Sequence, residues 1–186
     1  MMTMRTVPVT EMPGVALLPR RVFEDDRGSF TELFNARALA PIVGENVSFV
    51  QDNHSRSRPQ VLRGLHYQVR QVQGKLLHVA RGRIFDVVVD LRQRSPTFGR
   101  WYGCVLDAAQ PQHLWVPPGL AHGFVALTEA EVVYKVTDYW LPEAERTLRW
   151  DDPTVGIDWP LKDPPQLSNK DADGLSWADT PKFDAL

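Results

Sequence analysis

Apolar and polar positions alternate over short stretches through the middle of this 186-residue chain. The stretches are rich in β-branched and aromatic residues, and turn signals such as Arg81-Gly82, Ser95-Pro96 and Pro117-Pro118-Gly119 separate them. Many short strands with regular punctuation are typical of a β-sandwich or barrel. The pattern predicts strands at Val47–Gln51, Val61–Gln68, Lys75–Ala80, Ile84–Leu91, Trp101–Leu106, Leu114–Pro117, Gly123–Leu127 and Val132–Tyr139.

Helical periodicity is scarce in this chain. It predicts one short helix at Arg37–Ile42 and another turn or two in the tail after Ser168. The segment Asp151–Pro165 is rich in Pro, Asp and Trp and is expected to wrap around the outside of the barrel. Trp159 and Trp177 argue against a disordered tail, because indoles are seldom left on free segments. The length suits one domain, or one domain with an extended arm.

Composition and charge narrow the function classes. A net charge of −2 gives no bias toward a nucleic-acid polymer or a membrane surface. The single cysteine, Cys104, excludes an intramolecular disulfide and is expected to be a buried small hydrophobe. Residues Met1–Val15 do not resemble a signal peptide, and no segment approaches the ~20 apolar residues that span a bilayer. We therefore expect a soluble cytoplasmic protein.

Candidate chemistry is concentrated in Arg63-Gly64-Leu65-His66, in Lys75, and further on in His122 and Tyr134. A histidine can remove a proton near neutral pH, and a nearby cation can hold the negative charge that the removal creates. All of these residues lie in predicted strands or beside them, where alternate side chains enter a barrel. The combination indicates proton-transfer chemistry inside a β-barrel.

Strict alternation raises a difficulty for this site. It places Arg63 with Leu65 on one face of the strand and His66 with Gly64 on the other. Arg63 and His66 can both face inward only if the strand bulges or twists, which Gly64 would allow. In the next apolar strand Asp86 and Asp90 share a face, and the pattern leaves open whether that face is solvated or lines a cavity.

A metal site is not expected. Metal-binding barrels usually carry a His-x-His pair with a nearby carboxylate, whereas His66 is followed by Tyr67 and Gln68. Arg63 and Lys75 would also repel a divalent cation. A nucleotide is a more plausible ligand than a nucleic-acid polymer, with an aromatic ring for stacking and arginines for phosphates.

Several ordered motifs between Phe23 and Asp171 resemble those of the dTDP-4-dehydrorhamnose 3,5-epimerase family. They are Phe23-x-Asp25-x-Arg27-Gly28-x-Phe30-x-Glu32, Gln51-Asp52-Asn53-x-Ser55, Arg63-Gly64-Leu65-His66-Tyr67-Gln68, Gly74-Lys75, Asp86-Val87-Val88-Val89-Asp90-Leu91-Arg92, Ser95-Pro96-Thr97-Phe98-Gly99, Pro117-Pro118-Gly119-Leu120-Ala121-His122-Gly123-Phe124, Tyr134-Lys135 and Ser168-Asn169-Lys170-Asp171. The resemblance implies an all-β, double-stranded β-helix (a cupin-like jelly roll) with a few short, mainly C-terminal helices. It implies one domain, 1–186, with N-terminal strands and a C-terminal wrapping segment.

The resemblance also implies roles for individual residues. His66 would be the general base, polarised by Asp171, Tyr134 the acid on the opposite face of the sugar, and Lys75 the cation beside the enolate oxygen. Further positions would bind the substrate, some of them from the partner subunit of a homodimer: Phe23, Arg27, Glu32, Gln51, Asn53, Arg63, His122, Tyr139, Glu145 and Lys170. No cofactor or metal would be required.

The implied activity is epimerisation at carbons 3 and 5 of dTDP-4-dehydro-6-deoxy-D-glucose, a step toward dTDP-rhamnose. Alternatives stay open from the residues alone: a single-position epimerase or ketoisomerase of another dTDP-deoxysugar, a non-catalytic sugar-nucleotide binding barrel, or a metal-dependent cupin oxygenase. Departures from the family pattern are small. The loops after Gln68 and after His122 are slightly short, and Tyr139-Trp140 stands where many relatives carry two aromatic residues.

Overall fold

The computed structural model describes residues 7–184 and consists mainly of short strands. In chain order the strands are β1 (Val7–Pro8), β2 (Ala16–Pro19), β3 (Val22–Asp25), β4 (Gly28–Thr31), β5 (Gln51–Ser57), β6 (Leu62–Gln68), β7 (Lys75–Arg81), β8 (Arg83–Asp90), β9 (Trp101–Asp107), β10 (Gln112–Val116), β11 (Leu120–Ala126), β12 (Ala130–Val136) and β13 (Glu145–Thr147). Helix α1 spans Ala36–Val43, a 3-10 turn spans Pro142–Ala144, and helix α2 spans Asn169–Ala172. The predicted all-β class is confirmed.

Two antiparallel sheets form the body of the molecule. One has six strands in the order β1-β2-β10-β7-β12-β5, and the other has five in the order β13-β6-β11-β8-β9. From β5 to β13 the chain crosses from one sheet to the other at every step except β8 to β9, as in a cupin-like jelly roll. Strands β3 and β4 form a separate two-stranded hairpin. The apolar core lies between the sheets and includes Leu77, Ile84, Val88 and Val132.

The C-terminal segment covers the outer face of the five-stranded sheet, as the sequence predicted. Strand β8 therefore buries both faces: Ile84 and Val88 point into the core between the sheets, while Val87 and Val89 pack under the C-terminal segment. Trp159 is part of this cover, and its indole N–H donates to the carbonyl oxygen of Trp150 at 2.9 Å. A strand buried on both sides favours apolar residues on both faces, which explains why Ile84, Phe85 and Val87–Val89 make up most of β8.

Helix α1 covers the outer face of the six-stranded sheet. Its N-cap Asn35 accepts a hydrogen bond from the backbone N–H of Ala38 at 3.2 Å, which satisfies one free donor of the first turn. Leu39 packs against Leu76 and Trp115, and burying each such side chain stabilises the fold by roughly 1.5–3 kcal/mol. The predicted helix at 37–42 is confirmed. No helix in the described range, 7–184, is long and apolar enough to cross a bilayer.

Strand bounds are where the sequence-based prediction was wrong. No strand occupies residues 47–50; the strand instead begins at Gln51 and continues to Ser57. Its sequence is almost wholly polar, so a pattern based on buried apolar residues could not detect it. The resemblance implied N-terminal strands, but the pattern did not locate β1 to β4. Strand β13 was not predicted, and β11 begins at Leu120 rather than Gly123.

The open question about Asp86 and Asp90 is decided by their burial. Both are inside the fold, 1% and 0% exposed, so the reading of a solvated outer face was wrong. Cys104 is only partly buried, less than expected, although burial still raises the pKa of its thiol to about 12. The predicted domain bounds, 1–186, include ends that lie outside the described residues.

Candidate active site

A cavity of about 410 Å³ opens between the two sheets. Its walls come from β5, β7 and β12 of the six-stranded sheet, from β6 and β11 of the five-stranded sheet, and from β13 and α2. The lining residues are Gln51, Asn53, Ser55, Arg63, His66, Tyr67, Gln68, Gln73, Lys75, His122, Gly123, Phe124, Val132, Tyr134, Trp140, Glu145 and Lys170. Most of the residues that the sequence singled out are thus brought to one place.

A bulge in β6 places Arg63 and His66 on the same side of the strand. Opposite them on β11, His122 pairs with His66 and Phe124 with Arg63, so two residues of β6 face a single residue of β11. Gly64 lies in the bulge with φ of +119°, and a Cβ atom there would lie 2.6 Å from the Cα of Gly123. Only glycine fits this position, which confirms that Gly64 resolves the alternation difficulty.

His66 is held by the C-terminal helix. Its Nε2 lies 2.5 Å from Oδ1 of Asp171, and Oδ2 of Asp171 accepts a hydrogen bond from the Ser168 hydroxyl at 2.8 Å. Ser168 is also the N-cap of α2, accepting from the backbone N–H of Asp171. Helix α2 therefore fixes the carboxylate while the carboxylate fixes the imidazole.

The charges of this pair follow from their surroundings. Burial lowers the pKa of His66, and although Asp171 opposes that change, Lys170 and Lys75 reinforce it. Burial acts to raise the pKa of Asp171, but the hydrogen bonds from His66 and Ser168 outweigh it and hold that pKa below its usual value. At neutral pH a neutral imidazole donates Nε2–H to an ionised carboxylate, which leaves a free lone pair on Nδ1.

Lys75 lies beside His66 on the opposing sheet. It is buried at the start of β7, and its ammonium donates a hydrogen bond to the carbonyl oxygen of His66 at 3.0 Å. Burial lowers its pKa to about 8, while the charges of Glu145 and Asp86 counteract part of that decrease. Lys75 is therefore a cation at neutral pH, but one that loses its proton more easily than a surface lysine.

Tyr134 enters the cavity from the six-stranded sheet, whereas His66 enters from the five-stranded sheet. Burial raises the pKa of the Tyr134 phenol, Glu145 adds to the increase, and Arg63 opposes it. The phenol is therefore protonated at neutral pH. The two sheets thus bring an imidazole and a protonated phenol into one cavity from different sides.

A second histidine–carboxylate pair lies next to the first. Nε2 of His122 is 2.9 Å from Oδ2 and 3.1 Å from Oδ1 of Asp86, which is buried behind the cavity wall. The sequence identified His122 as a candidate site residue but did not predict its hydrogen-bond partner. The spacing of Asp86 along β8 was visible, yet its contact with His122 depends on the pairing of β8 with β11, which places Asp86 opposite Phe124 and Val88 opposite His122.

The rim of the cavity contains polar and aromatic groups. Lys170 lies 3.0 Å from Glu145, and the side-chain amide of Gln51 donates to Asn53 at 2.8 Å. The backbone N–H of Trp140 donates to Gln51 at 3.0 Å, and its half-exposed indole lines the cavity. Tyr139, the residue selected from the sequence, is not among the lining residues.

Three further selected residues, Phe23, Arg27 and Glu32, do not line the cavity of this chain. Phe23 and Arg27 lie on the β3–β4 hairpin and Glu32 directly after it. Phe23 is exposed, and the guanidinium of Arg27 forms an ion pair with Asp25 at 2.6 Å. A single copy of the chain therefore does not bring these residues to the site.

Some lining residues were missed, among them Ser55, Gln68, Gln73 and Phe124. Alternation along β5 would have given Ser55 once Gln51 and Asn53 were placed on the inner face. Among residues 7–184, no group of three or more His, Cys, Asp or Glu side chains is arranged to hold a metal ion. The two cavity histidines instead bind carboxylates.

The comparisons with a family model and with a curated relative indicate one family. Residues 9–179 match the family model described as dTDP-4-dehydrorhamnose 3,5-epimerase. The chain is 56% identical to the dTDP-4-dehydrorhamnose 3,5-epimerase of Pseudomonas aeruginosa, over 92% of this chain and 96% of that protein.

Solved structures extend the comparison. A dTDP-6-deoxy-D-glucose-3,5-epimerase from Legionella pneumophila, in complex with dTDP-4-keto-L-rhamnose, superposes with a TM-score of 0.94 at 41% identity, covering 98% of this chain and 99% of that one. A 3'-monoepimerase from Streptomyces bikiniensis, in complex with dTDP-quinovose, gives a TM-score of 0.83 at 33% identity, covering 89% and 84%. The same fold therefore occurs in a protein named as a 3,5-epimerase and in one named as a 3'-monoepimerase.

Proposed function

Because the chain belongs to the dTDP-4-dehydrorhamnose 3,5-epimerase family, we propose that it converts dTDP-4-dehydro-6-deoxy-D-glucose to dTDP-4-dehydro-L-rhamnose by inverting carbons 3 and 5. One observation supports this most strongly: a histidine paired with a carboxylate and a protonated tyrosine line opposite walls of one cavity, with a buried cation between the sheets.

The substrate's chemistry explains why these groups are needed. The hydrogens on carbons 3 and 5 both lie next to the carbon-4 carbonyl, so removal of either gives an enolate. Nδ1 of His66 takes the proton, and the electron pair of the C–H bond moves onto the carbonyl oxygen. Asp171 stabilises the imidazolium that results. A lowered pKa keeps His66 neutral, and therefore basic, at physiological pH.

Lys75 supplies the positive charge beside the enolate oxygen. A fixed donor of this kind accelerates a reaction by about 10²–10³-fold in comparable oxyanion sites. The electron pair then returns to carbon and takes a proton from the phenol of Tyr134 on the other face of the ring, which inverts the centre. The imidazolium and the phenolate exchange protons with solvent before the next cycle, and the same steps serve the second carbon.

The remaining cavity residues fit the nucleotide and the sugar. Arg63 and His122 provide donors for the pyrophosphate and the sugar, while Gln51 and Asn53 provide amides for the base. Trp140 exposes its indole at the rim beside Gln51, so it is placed to stack on the thymine ring. Glu145 and Lys170 complete the wall next to His66.

We further propose that the protein is a homodimer in the cytoplasm. The β3–β4 hairpin exposes Phe23 and Phe30, and Arg27 and Glu32 lie near them without reaching the chain's own cavity. Aromatic and arginine side chains exposed together are typical of an interface. In a dimer the hairpin of one subunit would complete the nucleotide site of the other.

Proton NMR of the substrate in deuterated water tests the activity. The wild type should exchange the protons on both carbon 3 and carbon 5, whereas exchange at one carbon only would identify a single-position epimerase. His66→Ala should lose exchange completely. Tyr134→Phe should retain some exchange but fail to complete inversion. His54→Ala and Tyr102→Phe, which lie outside the cavity, serve as matched controls.

Subunit mixing tests the dimer. Arg27→Ala should bind substrate poorly, and His66→Ala should be inactive. If the hairpin completes the partner's site, mixed dimers of the two variants recover one intact site, and activity returns on mixing. A monomer by light scattering at the active concentration, or no recovery on mixing, would contradict the proposal.

A further inference from the structure

Asp86 is a buried carboxylate that the proposed reaction does not use directly. It lies on the inner face of β8, 1% exposed, and does not line the cavity. Both of its oxygens lie within hydrogen-bond distance of Nε2 of His122, which does line the cavity. A buried carboxylate is costly to maintain unless it is paired, so its place behind the wall calls for a role.

Asp90 provides an internal comparison, because it lies on the same strand and the same face and is also fully buried. Its carboxylate pairs with the guanidinium of Arg92 at 2.7 Å and accepts hydrogen bonds from Ser95 and Thr97 at 2.6 and 2.7 Å. Its charge is therefore neutralised locally. Asp86 is bound to an imidazole rather than to a guanidinium, so its charge can act on other groups.

Lys75 lines the same cavity as His122, and the charge of Asp86 acts to raise the pKa of its ammonium. Its ammonium donates to a backbone carbonyl, and within the described part of the chain it forms no direct ion pair. The charges of Glu145, Asp86 and Lys170 act on its pKa, and Arg63, His66, His122 and Tyr134 line the same cavity. Glu145 is already paired with Lys170, whose charge acts on Lys75 in the opposite direction. Asp86 is instead paired with His122, which lines the cavity together with Lys75.

We propose that Asp86 is a positioning residue for the epimerisation, which fixes the ring of His122 and keeps Lys75 charged beside the enolate. The proposal rests on the function proposed above, and it assigns Asp86 no contact with the substrate. Lys75 keeps its proton although it is buried, because the negative charge of Asp86 behind the cavity wall offsets the cost of desolvating the ammonium. Burial raises the pKa of Asp86, and both His122 and Lys75 counteract that rise, as this coupling requires.

Asp86→Asn is the first test, read from the pH profile of kcat/KM, which reports groups of the free enzyme. Asparagine has nearly the same shape, and its carbonyl oxygen can still accept from His122, but the negative charge is gone. The alkaline limb of the wild type should lie near the pKa of Lys75, about 8. In the variant it should move down by roughly one pH unit, which lowers activity about tenfold above the limb.

Asp90→Asn is the matched control, since it also neutralises a buried carboxylate of β8. It should reduce thermal stability but leave the alkaline limb in place. Asp86→Glu retains the charge and should keep the limb at the wild-type position even if its kcat is lower. Asp86→Ser provides a second neutral variant if Asp86→Asn folds poorly, with the same downward shift expected.

An unchanged alkaline limb in the neutral Asp86 variants, or an equal shift in Asp90→Asn, would overturn the proposal. An NMR titration of the Lys75 side chain gives the same answer without substrate: its midpoint should fall in Asp86→Asn and stay fixed in Asp90→Asn. Failure of the proposed function is distinguishable, because it would appear as absence of hydrogen exchange in the wild type itself.

Discussion

Two regions of the molecule bury histidines, and they do so in different ways. In the cavity, His66 and His122 each contact a carboxylate, Asp171 and Asp86. On the outer face of the six-stranded sheet, His78 and His113 contact each other, with ring centroids 5.0 Å apart. No carboxylate pairs with either of them within residues 7–184, and Nδ1 of His113 is buried there without a hydrogen-bond partner.

The difference shows what a carboxylate partner contributes. Burial, reinforced by the charges of Arg20 and Lys135, lowers the pKa of His78 to about 4. Burial, reinforced by the charges of His78, Arg20 and Lys135, lowers the pKa of His113 to about 3. Such rings do not accept a proton at physiological pH. Burial also lowers the pKa of His66, but Asp171 opposes that change and stabilises the protonated form. A buried histidine becomes a useful base only when a carboxylate fixes its tautomer and supports its charge.

The largest expected effect comes from removing that support. Asp171→Asn should lower kcat/KM by about 10³–10⁴-fold, because the amide cannot stabilise the imidazolium and favours the wrong tautomer, as in other His–Asp pairs. The control is Asp173→Asn, an exposed residue at the end of the same helix, which should remain active. Steady-state kinetics with both variants gives the comparison. Near wild-type activity in Asp171→Asn would remove the distinction between the two regions.

The free energy of unfolding at acid pH should reveal the cost of burying His78 and His113 without a carboxylate partner. In the unfolded chain His78 and His113 bind protons below about pH 6.5. In the folded chain they bind protons only near pH 4 for His78 and pH 3 for His113. Stability is therefore lost as the pH falls through this window, by about 2 kcal/mol for each histidine at pH 5. Urea unfolding at pH 7 and pH 5 measures the loss.

The double variant His78→Gln/His113→Gln should show a weaker pH dependence over the same range. His66 contributes in the same direction, so part of the dependence should remain. An unchanged dependence in the double variant would mean that the outer pair is protonated in the folded state.

The pH profile of the wild type should give a smaller effect, about tenfold per pH unit beyond each limb. The acid limb belongs to His66, so it should lie below pH 6.5, since the histidine must be neutral to act as a base. The alkaline limb belongs to Lys75 and should lie near pH 8. Tyr134 should not limit the profile there, because its pKa is raised. An acid limb above pH 7 would contradict the assignment of His66.

The smallest expected effect is the change in kcat when the two histidines of the outer face are replaced. At neutral pH the double variant His78→Gln/His113→Gln should change kcat by less than about twofold once folding is confirmed, because neither ring lines the cavity. Hydrogen exchange of the substrate measured beside kcat would show whether the chemical step is affected. A large decrease in exchange would indicate that the two faces of the sheet are coupled.

The sequence by itself determined the fold class, the apolar strands and most of the site. Runs such as β8 can be recognised because burial on both faces favours apolar residues, which occupy most of its positions other than Asp86 and Asp90. The motifs around His66, Lys75, His122 and Tyr134 identify the family because each chemical role needs a particular residue type. Even the bulge in β6 could be predicted, since Arg63 and His66 cannot share a face without one and Gly64 permits it.

Only the tertiary structure decided which residues meet. Strand β5 escaped detection because its inner side chains face a polar cavity rather than the core, and Trp140 rather than Tyr139 lines that cavity. The partners of the histidines depend on contacts between distant segments: Asp171 lies 105 residues from His66, and Asp86 lies 36 residues from His122. The local sequence pattern predicts whether a side chain is buried. It does not predict which charged group that side chain contacts, because the contacting residues come from distant segments that only the fold brings together.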